Sequence, residues 1–126
     1  MIRLIGPINS GAAVGANGVA TANADSSNVI RGIVRAIHVK YNDSPPAGTT
    51  DVVIKTKGTD APSLTLLTIT NSATDAWKMV KHAVQSNLGA DIANEYDFPA
   101  IHDLVNVKID QANAGDNIDV FLLVEG

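Results

Sequence analysis

The sequence predicts an all-β fold, namely an antiparallel β-sandwich of the jelly-roll type that carries an extended N-terminal arm. Val, Ile and Thr supply 34 of the 126 residues, whereas Leu supplies 8 and Glu only 2. β-Branched side chains fit a pleated, half-buried surface, and the shortage of Leu and Glu leaves few helix formers. Short alternating apolar runs are separated by Gly, Pro, Asn and Asp clusters, which is the pattern of a sandwich. The 45% hydrophobic content excludes intrinsic disorder.

The first 28 residues differ in composition from the rest of the chain. Residues 6–18 are rich in Gly, Ala and Asn and contain few large side chains, so this stretch can bury little apolar surface. We therefore predict that residues 1–28 form an extended arm or a sheet-edge segment. Within it, residues 19–24 are expected to form a weak strand. The sandwich domain is predicted to span residues 29–126.

The middle of the chain carries the strongest strand patterns. Three strands are predicted there, at residues 29–41, 50–57 and 63–70, with turns at 42–48 and 58–62. Gly32 interrupts the first of these strands. A glycine inside a strand marks a bulge or the close approach of another backbone.

Residues 71–100 leave two interpretations open. Trp77, Val80 and Val84 recur at helical spacing, and Asp75 is a suitable N-cap residue for a helix. The same residues also fit a short strand at 77–80 within a long excursion from the sheets.

The end of the chain alternates apolar and polar residues twice, at 104–110 and at 118–124, around a turn at 111–116. Two alternating runs that flank a Gly-containing turn indicate a β-hairpin. We therefore predict that the last two strands pair with each other.

Charge is unevenly distributed along the chain. Residues 1–88 carry 8 basic and 5 acidic residues, whereas residues 89–126 carry only Lys108 against 8 acidic residues. The net charge of −4 disfavours binding to nucleic acid, because that binding depends on basic side chains. The net charge is therefore +3 for residues 1–88 and −7 for residues 89–126. This uneven distribution fits either solvated loops or head-to-tail contact between copies of the chain.

No catalytic or metal-binding motif is present. The absence of cysteine excludes thiol chemistry and thiolate metal sites, and His38, His82 and His102 are not at metal-ligand spacing. Neither a phosphate-binding Gly-Lys-Ser/Thr loop nor a Gly-x-Ser-x-Gly elbow occurs. No apolar run is long enough for a signal peptide or a membrane helix. We expect a non-enzymatic protein with no metal or cofactor and no membrane contact, made in the cytoplasm.

Four segments resemble capsid decoration (cement) proteins of tailed bacteriophages, which have β-sandwich folds. They are RGIVRAIHV at 31–39, PAGTTDVVI at 46–54, NSATDAW at 71–77 and LVNVKIDQANAGDNIDVFLLVE at 104–125. The resemblance implies a structural protein on the outside of an icosahedral capsid. Its partner would be the major capsid protein, and it would form a homo-oligomer, with a trimer favoured. It would be made in the host cytoplasm and reside in the virion.

The candidate partner-binding residues are the large apolar side chains of the first 28 residues and the aromatic side chains of the 71–100 excursion: Ile2, Leu4, Ile5, Ile8, Val14, Val19, Trp77, Tyr96 and Phe98. The three aromatics fit two roles, either a small core that anchors the excursion or exposed anchors for a partner. Two other functions stay open. One is another virion component of the tail, fibre or head–tail junction, and the other is a carbohydrate-binding module that uses the aromatics.

Overall fold

The computed structural model describes residues 1–43 and 46–126, so part of the predicted 42–48 turn lies outside the described residues. The described residues form eleven β-strands and no helix, which confirms the all-β prediction. The strands are β1 (Ile2–Asn9), β2 (Ala20–Asp25), β3 (Ile30–Tyr41), β4 (Asp51–Thr56), β5 (Thr65–Ile69), β6 (Ala76–Met79), β7 (His82–Gln85), β8 (Asp91–Asp97), β9 (Ala100–Asp103), β10 (Val105–Ala112) and β11 (Ile118–Glu125).

The strands form two larger antiparallel sheets. The first sheet has the order β1-β11-β3-β6, and β9 also pairs with β3. The second sheet has the order β2-β10-β4-β5. β7 and β8 pair only with each other within the described part of the chain, and we call residues 82–97 the hairpin.

One hydrophobic core joins the two sheets. In the first sheet, Val120, Leu122 and Val124 of β11 alternate with partly exposed residues and are fully buried. In the second sheet, Val107 and Ile109 of β10 are equally buried, and both sets belong to one cluster of contacting side chains. Each such side chain contributes roughly 1.5–3 kcal/mol through removal from water. The alternation read from the sequence therefore identifies the core-facing side of these strands correctly.

The extended N-terminal arm is not seen. Residues 2–9 pair with β11 at one edge of the first sheet, and residues 20–25 pair with β10 at one edge of the second sheet. The strand pattern of β1 is hidden in the sequence because the register shifts between Ile5 and Ile8, around Gly6-Pro7. A Cβ at Gly6 would lie 2.6 Å from the Val120 carbonyl oxygen, so this position requires glycine.

The predicted C-terminal hairpin is wrong. β10 pairs with β2 and β4, whereas β11 pairs with β1 and β3, so the loop between them crosses from the second sheet to the first. Buried Asp116 fixes this crossing. Its carboxylate accepts hydrogen bonds from the Asn113 amide at 3.0 Å, the Ala47 amide at 3.1 Å and the Asn42 side-chain amide at 3.2 Å.

The helix interpretation of residues 71–100 is also wrong, because the segment contains β6, the hairpin and β9. Asp75 does not cap a helix. Its carboxylate accepts the backbone N–H of Tyr41 at 2.8 Å, at the end of β3. The helical spacing of Trp77 and Val80 does not reflect one shared face, because Val80 is buried whereas Trp77 is exposed on the outer side of the first sheet.

β6 and β9 lie along the same edge of β3. β6 pairs with residues 36–39 and β9 with residues 30–33, both antiparallel to β3. β6 and β9 are thus two halves of one interrupted edge strand. Residues 80–99 connect the two halves and include the hairpin.

The expectation for Gly32 is confirmed as a close approach. Its φ is +134°, and a Cβ there would lie 2.6 Å from the Glu125 carbonyl oxygen and 2.7 Å from Val124 Cγ1. A bulge follows at Arg35, where the pairing of β3 with β11 shifts by one residue.

Candidate interaction surface

The outer side of the first sheet carries a continuous apolar row. Leu4 lies opposite Leu123, Leu123 opposite Ala36, and Ala36 opposite Met79, so one row crosses four strands. Directly paired residues present their side chains on the same side of a sheet. Leu4 and Met79 are each 61% exposed at the two ends of the row.

A second row on this side is aromatic. Phe121 lies opposite His38, and His38 lies opposite Trp77. The His38 ring meets the rings of Trp77 and Phe121 edge to face, with centroids 5.1 and 6.2 Å apart. Such packing orients Trp77, which nevertheless keeps 53% of its surface exposed. The apolar face, as we name it, comprises Ile2, Leu4, Ile33, Ala36, Trp77, Met79, Phe121 and Leu123.

Charged side chains border the apolar face at one end. Arg35 forms an ion pair with Glu125 at 2.6 Å, and both side chains are about 40% exposed. The Arg35 guanidinium also lies over the Phe98 ring, 4.3 Å from its centroid. An ion pair this exposed contributes at most about 1 kcal/mol to stability, so its effect is mainly to orient Arg35. This arrangement ties the returning end of the excursion to β3.

The outer side of the second sheet is polar. The Asn106 amide donates to the side chains of Asn23 and Asp25, and Lys57 pairs with Asp25 at 3.0 Å. The hydrogen bond from Asn106, followed by that from Lys57, lowers the pKa of Asp25 below its ordinary value of 3.8. Lys108 pairs with Asp110 at 3.3 Å on the same sheet. The two outer sides therefore differ, since one carries the apolar face and the other carries polar side chains that include two ion pairs.

Asp103 organises the loop at 58–62. Its carboxylate accepts the Gly58 amide at 2.8 Å and the Thr59 hydroxyl at 2.9 Å. Burial acts to raise the pKa of Asp103, but the hydrogen bonds from Gly58, Thr59 and Leu104 outweigh it and lower the pKa below 3.8. We interpret Asp103 as a structural residue, because its carboxylate already accepts hydrogen bonds from Gly58, Thr59 and Leu104.

The candidate residues of the first 28 positions do not form one surface. Ile2 and Leu4 lie on the apolar face, whereas Ile5 and Ile8 point towards the core. Val14 and Val19 are both exposed. Val14 pairs with Thr21 of β2 and Val19 directly precedes β2, so neither belongs to the apolar or the aromatic row of the first sheet.

The three aromatic candidates are also separated. Trp77 lies on the apolar face, Tyr96 is 60% exposed on the hairpin, and Phe98 packs partly buried beneath Arg35. Phe98 therefore fits the anchoring role, while Trp77 and Tyr96 are exposed. Sequence reasoning missed Met79, Phe121 and Leu123 as members of the surface. The sequence did contain a signal for two of them, because Phe121 and Leu123 are apolar residues at the outward positions of the alternating pattern of β11.

The hairpin is highly exposed. All seven residues of β8 are exposed, among them Ile92 and Tyr96, and Leu88 at the hairpin tip is 91% exposed. Lys81 lies 6.0 Å from the Tyr96 ring centroid. Asp91, Glu95 and Asp97 form no ion pair with any residue that the structure describes. The hairpin thus combines apolar side chains with unpaired negative charge.

A cleft opens on the opposite edge of the molecule. It has a volume of about 530 Å³ and lies between β1 and residues 25–30, lined by Arg3, Ile5, Ile8 and Val29 among others. The Arg3 guanidinium donates to the neutral carbonyl of Arg31 at 2.6 Å. In the described ranges Arg3 has no carboxylate partner.

Within residues 1–43 and 46–126, no three His, Cys, Asp or Glu side chains cluster as metal ligands would. His38 belongs to the aromatic row, and His82 Nε2 lies 3.3 Å from the Leu66 carbonyl oxygen. His102 is exposed on β9. The described part of the chain also holds no helix with the length and apolarity needed to cross a membrane.

Comparison with models of protein families, with curated proteins and with solved structures gives no match for this chain.

Proposed function

We propose that this chain is a structural virion protein of a tailed bacteriophage, which binds the outside of an icosahedral capsid and stabilises contacts between capsomers. The observation that carries the proposal is the apolar face. A contiguous apolar surface on one side of a sheet is typical of a protein–protein contact. The polar outer side of the second sheet suits contact with water, so the two sides match a protein with one docked and one exposed surface.

The strand order supports a jelly-roll-like sandwich as the scaffold for this function. If β7, β8 and β9 are left aside, the chain visits the two sheets in the order first, second, first, second, second, first, second, first. This order interleaves two Greek keys, which is the jelly-roll arrangement found in viral capsid domains and in lectins. The fold alone does not imply a function, so the proposal rests on the surface.

The partner is the major capsid protein, and the chain acts as a homo-oligomer, with a trimer favoured by the resemblance to decoration proteins. Several copies acting together raise the effective affinity for a lattice without any new contact per copy. A small apolar face on each copy is then sufficient for durable binding.

The test is co-sedimentation of the chain with capsids assembled from the major capsid protein of the same genome. Leu4→Asp places a charge at one end of the apolar row, where burial in a contact is strongly unfavourable. We expect it to abolish saturable binding. Thr68→Asp is the matched control, because Thr68 is exposed on β5 in the second sheet. Equal binding by both variants would overturn the proposal.

Copy number on the particle separates decoration from the other virion roles. Electron microscopy of particles that carry the chain should find it repeated across the whole lattice. A few copies at one vertex or along the tail would instead assign the chain to the tail or the head–tail junction.

Carbohydrate binding is a second candidate, favoured by one observation. Trp77 presents half of its surface on an open sheet face, where an aromatic ring can stack against a sugar. A glycan array with Trp77→Ala as the control tests it. Binding that depends on Trp77 would support this function over capsid docking.

A further inference from the structure

The hairpin has little structural support within its own chain, since only β7 is partly buried. β7 and β8 pair with neither of the larger sheets, and β8 is exposed along its whole length. A two-stranded hairpin is marginally stable at best in water without further packing. We infer that the hairpin of one copy docks into the cleft between β1 and residues 25–30 of a second copy, so that copies associate head to tail in solution.

The positions of the two elements fit this arrangement. β1 and β2 are the edges of their sheets on the cleft side, whereas β5 and β6 are the opposite edges. The hairpin follows β6 directly and reaches β5 through the contact between His82 and the Leu66 carbonyl. The hairpin and the cleft therefore lie on opposite sides of the molecule. A repeated head-to-tail contact leaves the apolar face of every copy uncovered.

Charge complementarity identifies a second copy as the occupant. β8 contributes Asp91, Glu95 and Asp97, none of which forms an ion pair with another described residue. In the cleft, Asp25 is already paired with Lys57, while Arg3 bonds only to a neutral carbonyl. The uncompensated charge of the cleft is thus positive, and that of the hairpin is negative.

The apolar parts of the two elements also correspond. The hairpin presents Ile92 and Tyr96, and the cleft offers the exposed Val29 beside the partly buried Ile5. A volume of about 530 Å³ lies within the size range of pockets that enclose small molecules, so it can accept large side chains.

Pairing between two hairpins is the main alternative. Two copies of β8 side by side would place their three carboxylates near one another, and like charges directly opposite are unfavourable. A charged edge strand of this kind is a known protection against self-pairing. The structure therefore favours hairpin-to-cleft contact over hairpin-to-hairpin contact.

The native chain contains no cysteine, which permits an unambiguous cross-linking test. Glu95→Cys marks the hairpin and Ser27→Cys marks the cleft rim, and both positions are exposed. With a short bis-maleimide, an equal mixture of the two variants should give mixed dimers, whereas each variant alone should stay uncoupled. Thr68→Cys is the control, which should couple to neither.

Three outcomes would overturn the inference. They are dimers from Glu95→Cys alone, dimers from Ser27→Cys alone, or no coupling in the mixture at chain concentrations in the millimolar range. Mass-labelling one variant distinguishes mixed from identical pairs.

Sedimentation of charge variants gives an independent measurement. Glu95→Lys should weaken self-association about tenfold, because it replaces an attraction to Arg3 with a repulsion. Asp43→Lys makes the same change in net charge at an exposed position that belongs to neither the hairpin nor the cleft, and it should have no effect. Equal effects of the two variants would attribute association to net charge alone and overturn the inference.

The inference depends on the proposed function only for the orientation of copies on a capsid. Trp77→Ala should weaken capsid binding and leave the cross-linking pattern unchanged. Loss of capsid binding in every assay alongside intact hairpin-to-cleft coupling would overturn the proposed function and leave head-to-tail association standing.

Discussion

Replacement of Trp77 by Ala separates the folding role of the apolar face from its binding role. Trp77 keeps 53% of its surface exposed, so roughly half of the ring remains to be buried by a partner. A large aromatic side chain buries about 150–250 Å² when fully covered, which leaves about 100 Å² for the contact. At about 25 cal/mol per Å², that area contributes about 2.5 kcal/mol to docking. This corresponds to a loss in affinity of roughly 60-fold for Trp77→Ala.

The assay is capsid co-sedimentation over a range of chain concentrations, together with urea unfolding of the isolated variant. We expect the stability loss to stay at about 1–2 kcal/mol, because the buried half of the ring contacts the edge of His38 and leaves no core cavity. Leu64→Ala is the matched control, since Leu64 is also a partly exposed large apolar residue but does not belong to the apolar face. Unchanged capsid affinity in Trp77→Ala, or an equal loss in Leu64→Ala, would refute the reasoning.

Three further predictions concern stability. Asp116→Ala should lower the free energy of unfolding by about 3 kcal/mol in urea titrations, because three partly buried donors lose the buried carboxylate that accepts from them. A loss under about 1 kcal/mol would contradict this. Gly32→Ala should lower the melting temperature more than Gly115→Ala does, since both glycines have positive φ but only Gly32 lacks room for a Cβ. Equal decreases would show that the close approach at Gly32 is unimportant for stability. Asp25 and Asp103 have pKa values lowered below 3.8 in the folded state, so their stabilising contribution is present above that pH and is lost as the pH falls below it. Asp25→Asn should reduce the loss of unfolding free energy between neutral and acid pH. An unchanged loss would contradict a stabilising role of the Asp25 carboxylate.

The strands that could be predicted from the sequence are those that bury one side in the core. In β11, and in β10 as far as Ile109, every second residue is fully buried, so the apolar alternation is regular and the strand positions are predictable. Alternation determines which side chains point inward, but it contains no information about which strand lies next to which. A hairpin and a crossing between two sheets produce the same pattern, which is why the pairing of these two strands was predicted wrongly.

The remaining elements carry weak local signals for physical reasons. β1 has its register shifted at Gly6-Pro7, and both of its outward large side chains are exposed, so neither periodicity nor polarity identifies it. Between residues 76 and 97 only Val80, which lies between β6 and β7, is buried in the core, and this leaves helix and strand equally consistent with the pattern. The apolar face itself depends on which strands are neighbours, so it could not be assembled before the sheet order was known.

The interrupted edge strand makes the fold modular. Met79 at the end of β6 pairs with Ala36, and Ala100 at the start of β9 pairs with Ile33, three residues away on β3. Three residues of a strand span about 10 Å, so residues 80–99 begin and end almost at the same place. The free-energy cost of closing a loop grows slowly with its length, and loops of different size can therefore occupy this position. Related chains could exchange this segment to recognise different neighbours, and a foreign peptide could be grafted there for display, while the two sheets keep their pairing.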